Sequence, residues 1–138
     1  MARERIKRAL LIDDDGIDQR QLKRVIDRSG LIEDLVIHSY AEQALDFLSE
    51  PGDSIDLILL DINMPRMNGF EFLDKLPDVA GKMSDDCVVI MLTTSLNRAD
   101  KDRALAYDPV KAFVNKPLTI EDIVIAARHV EAQGSARA

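Results

Sequence analysis

The chain has one cysteine, Cys87, among 138 residues. A lone thiol excludes an intramolecular disulfide and suits a reducing compartment. Placed at the start of an apolar run, Cys87 reads as a small buried hydrophobe. Basic residues are also short: 18 Lys and Arg stand against 25 Asp and Glu, a net charge of −7. That balance argues against a nucleic-acid surface, and no basic stripe interleaved with aromatics occurs. No apolar run is long enough to span a bilayer. The basic start, Met1 to Arg8, leads only into Ala9-Leu10-Leu11-Ile12 before three aspartates, far short of a signal-peptide apolar region. Internal repeats and low-complexity segments are missing too. These absences leave a cytoplasmic protein of one domain, with a core over 6–133 and a frayed tail over 134–138. Hydrophobic content of 46% with 31% charged residues is ordinary for such a domain, and the length suffices to bury a core without staples.

What is present is a set of short apolar runs that stop on polar groups. Ile55-Asp56-Leu57-Ile58-Leu59-Leu60 is too short for a helix and too apolar for a surface strand. It reads as a central strand covered on both faces, ending on Asp61. Pro65 cannot donate to a ladder and Gly69 supplies a flexible position, so a loop follows at once. Ala9 to Ile12 is a first strand ending on Asp13, Asp14 and Asp15. Leu35-Val36-Ile37 is a second, Cys87 to Leu92 a fourth, and Val110 to Val114 a fifth. Between them run helical stripes. Leu22, Val25, Ile26 and Ser29 share one face, with Gly30 as a stop. Ser39-Tyr40-Ala41-Glu42 has the form of a capping box ahead of Ala41, Ala44, Leu45 and Leu48, and Pro51-Gly52 closes that helix. Gly69, Phe72, Leu73 and Leu76 form a third helix stopped by Pro77, and residues 78–86 read as a long polar loop. Asn97 caps a helix to about Tyr107 with the poorest stripe of all: Ala99, Ala104, Leu105 and Ala106. Thr119 caps the last helix, with Ile120, Ile123, Val124, Ala127 and Val130 inward. Five strand–helix units in strict alternation mean an open, doubly wound parallel sheet with right-handed crossovers.

The carboxyl ends of parallel strands share one edge, where such folds bind their ligands. Strand one brings Asp13 and Asp14 there, strand three Asp61, strand four Thr93, and Lys116 follows strand five. Clustered carboxylates repel unless a cation sits among them, and oxygen ligands select Mg²⁺ or a similar hard ion. Metal, ammonium and hydroxyl around one carboxylate are what phosphoryl transfer requires. Asp15 and Asp18 read as solvated or capping residues, and Met64 and Met67 as loop packing. His38 and His129 have no metal-spaced partner and read as structural, which removes a histidine phosphodonor role.

Leu10-Leu11-Ile12-Asp13-Asp14, Leu59-Leu60-Asp61-Ile62-Asn63-Met64-Pro65 with Met67 and Gly69, Met91-Leu92-Thr93 and Lys116-Pro117 together resemble the receiver domain of two-component response regulators. The resemblance runs from about Ile6 to about Val130. It implies a flavodoxin-like (βα)5 fold with strand order 2-1-3-4-5. It implies Asp61 as phosphoacceptor, Mg²⁺ held by Asp14 directly, Asp13 largely through water, Asp61 and the Asn63 carbonyl, and a phosphoryl group contacted by Thr93 and Lys116. Phe113 stands at the family's aromatic switch position. The implied partner is a sensor histidine kinase or phosphotransfer protein, with Leu92-Thr93-Thr94-Ser95 similar to receivers paired with phytochrome-type kinases. A downstream protein target follows, with no nucleic acid and no membrane, the chain acting as monomer or homodimer. Such a domain is a self-phosphorylating switch, not a turnover enzyme, and with no segment expected beyond the last helix it would carry no output domain. The loop 78–86 and the segment Ala106-Tyr107-Asp108-Pro109 depart from the commonest family pattern. Two alternatives stand beside this reading. One is an unphosphorylated receiver-like scaffold. The other is an aspartyl-phosphate phosphohydrolase, which usually carries a second Asp where Asn63 stands.

Overall fold

A run such as Leu57-Ile58-Leu59-Leu60 buries both of its faces only if helices cover the sheet on either side. The computed structural model, which describes residues 5–79, 83–95 and 97–137, has that arrangement. The elements alternate: β1 (Ile6–Ile12), α1 (Gly16–Ser29), β2 (Ile32–His38), α2 (Ala41–Ser49), β3 (Ile55–Asp61), α3 (Gly69–Lys75), β4 (Met83–Thr93), α4 (Arg98–Leu105), β5 (Val110–Asn115) and α5 (Ile120–Arg137). All four strand pairings are parallel, in the order β2-β1-β3-β4-β5. This is the flavodoxin-like fold expected.

The strand period of two divides the core in half. Leu10, Ile12, Ile58, Leu60, Val89 and Met91 point to one face, against Ala41, Ala44 and Leu48 of α2, Phe72 and Leu73 of α3, and Ala104 of α4. Leu11, Leu57, Leu59, Val88 and Ile90 point to the other, against Leu22 and Ile26 of α1 and Ile123, Ala126 and Ala127 of α5. Each fully buried Leu or Ile contributes about 1.5–3 kcal/mol. Helix α1 is bounded at both ends by its sequence: the Asp15 side chain accepts from the Ile17 and Asp18 amides, and Gly30 takes a left-handed φ of 65°. No described helix is long and apolar enough to cross a membrane.

Several expectations are corrected. Ser39 does not cap α2: Tyr40 occupies the N-cap position with no side-chain bond. The Ser39 hydroxyl instead accepts from Gln19 Nε2 at 3.0 Å, and Glu42 pairs with Arg66. Reciprocal capping pairs are found instead at α3, between Asn68 and Glu71, and at α5, between Thr119 and Asp122. Strand β2 extends on both sides of Leu35-Val36-Ile37 because it pairs with β1 from Ile6↔Ile32 to Ile12↔His38. The polar stretch 78–86 is loop in part only. A 3-10 turn, Leu76–Asp78, carries the chain through Pro77, and β4 begins at Met83, opposite Ile55, with a register shift before Leu57↔Val88. Residues 80–82 lie outside the described residues. On α5, Ile120 is 45% exposed and Ala126 is buried instead, so the buried stripe runs through Ile123, Ala126 and Ala127. The expected frayed tail is helical through Arg137, and Ala138 lies outside the described residues. Helix α4 is shorter than the span to Tyr107, ending at Leu105.

Candidate functional site

Three strands deliver the site. At the end of β1, Asp13 is fully buried, and its Oδ1 accepts the Asp15 amide at 3.0 Å. Its backbone carbonyl accepts from Gln19 Nε2 at 2.5 Å, so α1 fixes this turn. At the end of β3, Asp61 is 7% exposed. The loop after it folds straight back. The Gly69 amide donates to the Ile62 carbonyl at 2.8 Å, and a Cβ on Gly69 would lie 2.9 Å from the Asp61 carbonyl oxygen. Gly69 is therefore needed for close approach, not for the flexibility its residue type suggests. After β5, the Lys116 amide donates to the Thr93 carbonyl at 2.7 Å, and the side chain turns inward.

Lys116 Nζ is the hub. It lies 2.7 Å from Asp13 Oδ2, 3.0 Å from Asp18 Oδ2 and 3.5 Å from Asp61 Oδ1. Burial works against its charge, but the hydrogen bonds to Asp13 and Asp18 and the field of Asp61 outweigh it and raise its pKa. The ammonium is charged at any physiological pH. Burial pushes the Asp61 carboxyl up to about 6; Lys116 opposes that, and the Asp13 and Asp14 charges add to it. Burial also raises Asp13, against its bonds from Lys116 and the Asp15 amide. One ammonium does not satisfy this set.

One oxygen each of Asp13, Asp14 and Asp61 lies within 4.8 Å of the others, Asp14 on the exposed side. An all-oxygen donor set, two members buried and one facing water, suits a hard divalent ion that keeps part of its hydration. The raised carboxyl pKa values mark the same unmet demand for positive charge.

The remaining candidates are positioned less directly. Thr93 is buried, but its hydroxyl donates to the Ser95 carbonyl at 3.1 Å and accepts the Ser95 amide at 3.0 Å. It is turned onto its own loop. Asn63 is exposed in the loop beyond Asp61. Phe113 is half-buried beside Met91 and packs on the α2–α3–α4 face of the core. Asp18, read from sequence as solvated or capping, is instead a Lys116 partner in the first turn of α1. Gln19, which holds the Asp13 carbonyl and Ser39, carries no signal in the local sequence pattern. The His38 ring lies 5.1 Å from the Phe47 ring, tilted by 46°, and burial lowers its pKa. Burial, with the Asp56 charge, pushes Cys87 up to about 12, an inert thiol.

The fold and this edge define a class: a doubly wound α/β domain that gathers carboxylates from two strand ends against a single lysine from a third. The family model for the response regulator receiver domain matches residues 9–128. The chain belongs to that family of two-component signalling domains. It is 32% identical over 126 residues to the transcriptional regulatory protein CpxR of Escherichia coli, an alignment covering 91% of this chain and 49% of CpxR. The chain thus spans about half the length of the curated relatives it matches first. A two-component response regulator from Cytophaga hutchinsonii superposes with a TM-score of 0.84 at 30% identity, covering 93% of this chain and 98% of that one. The bacteriophytochrome response regulator RtBRR gives 0.73 at 30% identity, covering 91% and 78%.

Proposed function

We propose that this receiver domain takes a phosphoryl group from the phosphohistidine of a sensor kinase or phosphotransfer protein onto Asp61, in a Mg²⁺-dependent step. The observation that carries this is the placement of a buried Asp61 carboxylate beside Lys116 and next to Asp13 and Asp14. With its pKa near 6, the carboxylate is mostly ionised at neutral pH. An Asp61 oxygen attacks phosphorus, the O–P bond forms, and the N–P bond to the histidine breaks. The electron pair and a proton remain on the departing imidazole. Asp13, Asp14 and Asp61 would hold the metal, with the Asn63 carbonyl as a further ligand. When bound, Mg²⁺ supplies positive charge to the phosphoryl oxygens. Lys116 transfers its weakest contact, that to Asp61, to the new phosphoryl group while keeping Asp13 and Asp18. Thr93 exchanges its Ser95 carbonyl contact for a phosphoryl oxygen, and Phe113 follows into the space released.

The output of this step is a phosphorylation-dependent protein contact through α4, β5 and α5. The domain acts on itself and turns over no foreign substrate. The likeness to RtBRR, described as a bacteriophytochrome response regulator, supports a phytochrome-type kinase as donor. The chain then acts in the cytoplasm as monomer or homodimer. Incubation with acetyl phosphate and Mg²⁺ tests the reading. A hydroxylamine-labile adduct on the Asp61 peptide is expected, absent without Mg²⁺ and absent in Asp61→Asn. Equal labelling of Asp61→Asn would refute it. Asp14→Ala should lower Mg²⁺ affinity and labelling together, and unchanged affinity in that variant would refute the metal assignment.

A further inference from the structure

The loop between Asp61 and Gly69 contains a feature that phosphoryl acceptance does not itself require. Arg66 has a φ of 67°, and the Met67 amide donates to the Pro65 carbonyl at 2.7 Å across it. A three-residue turn with a positive central φ is the rare, strained form, and a Cβ-bearing arginine is a poor occupant. Glycine would hold this position without strain. The reason for an arginine is visible in its side chain. The guanidinium lies 4.3 Å from the centroid of the Tyr40 ring, and its Nε is 3.3 Å from Glu42 Oε2. The ion pair is partly exposed, and the other oxygen, Glu42 Oε1, is buried without a hydrogen-bond partner, so Arg66 supplies the positive charge nearest this carboxylate on one oxygen only. Tyr40 and Glu42 both belong to the start of α2, and the Tyr40 side chain takes no part in capping that helix.

We infer that Arg66 is a positioning residue: it clamps the loop 62–68 to the start of α2 and so fixes the loop edge of the Asp61 site. Met64 is buried and Met67 half-buried against the core on either side of Arg66, so the loop is pinned from within by methionines and from outside by the arginine. Gly69 and Ile62 close its base. The clamped segment includes Asn63, so its carbonyl is held in place before any metal arrives. Partners that orient a ligand group commonly matter about as much as the ligand itself. The inference rests on the phosphoryl reading only for what the loop serves, not for the clamp.

The test measures hydrogen exchange of amides 62–68 in metal-free protein, alongside Mg²⁺ titration and acetyl phosphate labelling, for Arg66→Ala, Arg66→Gly and Tyr40→Leu. In all three the loop amides should exchange several-fold faster while β1, β3 and α1 are unchanged. Mg²⁺ affinity should fall about tenfold, and labelling should recover toward wild type at saturating Mg²⁺. Arg66→Lys, which keeps the charge but not the planar stack, should fall between. Should Arg66→Ala fail to fold, Tyr40→Leu removes the ring contact and leaves the turn intact. Loop exchange and Mg²⁺ affinity within twofold of wild type in Tyr40→Leu and Arg66→Gly would overturn the clamp. Faster loop exchange in the variants, with a wild type that does not label at Asp61, would uphold the clamp and remove the phosphoryl reading instead.

Discussion

Helices α1 and α4 both follow strands that end at the site, on opposite faces of the sheet, yet they are held in different ways. Helix α1 has 14 residues and caps at both ends, and it buries Leu22, Ile26 and Ser29. Through Asp18 it joins a nearly buried ion network. Helix α4 has eight residues and buries Ala104 alone, with Leu105 43% exposed. Its other ties are peripheral: Arg103 lies 4.1 Å over the Phe70 ring, and the Tyr107 hydroxyl donates to Asp74 Oδ1 at 2.5 Å. Elements with little buried apolar surface are the ones that shift or open cheaply. The side that holds the charges is rigid, and the side that follows Thr93 is loosely held.

The comparison can be broken most severely from the α1 side. Leu22→Ala removes a side chain only 3% exposed and should cost about 2–5 kcal/mol of stability by urea unfolding. A cost below about 1 kcal/mol would mean that α1 is no better anchored than α4.

Next in size is the charge cluster itself. In metal-free protein the folded-state pKa of Asp61 is raised to about 6 from 3.8. A carboxyl raised on folding contributes stability that is complete below its unfolded pKa and is lost as pH rises through the folded value. Asp13 shifts the same way. The raised Lys116 adds stability that is lost only at much more alkaline pH. Metal-free protein should therefore lose on the order of 2–3 kcal/mol between about pH 4 and pH 7. Asp61→Asn should flatten that loss and be the more stable protein at neutral pH without metal, and Mg²⁺ should narrow the difference. Urea unfolding in EDTA across this range checks the sign; a wild type that gains stability toward neutral pH would reverse the assignment.

On the α4 side the effects should be small. Tyr107→Phe removes one exposed hydrogen bond and should cost about 1 kcal/mol or less while speeding amide exchange in α4. Leu105→Ala should fall within about 0.5 kcal/mol. Labelling at Asp61 should be intact in both.

The same contrast explains what could be read in the sequence. The parallel sheet and the strand-end carboxylates follow from apolar runs that stop on Asp13 and Asp61, because a buried run must be covered and its end must meet the ligand edge. The strand order follows from the resemblance to receiver domains. The Ser39 capping box failed because its hydroxyl was claimed by Gln19, far along the chain, which no local pattern records. Asp18 escaped for the same reason: its partner is Lys116, 98 residues away. The start of β4 at Met83 was hidden by a polar stretch, since an edge of pairing needs no apolar signature. Thr93 is legible as the polar end of a buried strand, but its turn toward Ser95 is set by local backbone geometry.

The most direct measurement is hydrogen exchange in Mg²⁺ with and without beryllofluoride, a mimic of the phosphoryl group on Asp61. The loop after Asp61 should gain protection. The larger response should lie in α4 and β5, over 97–114, with α1 nearly unchanged apart from its first turn at Asp18. Changes confined to 13–30, with 97–114 unaffected, would contradict the account.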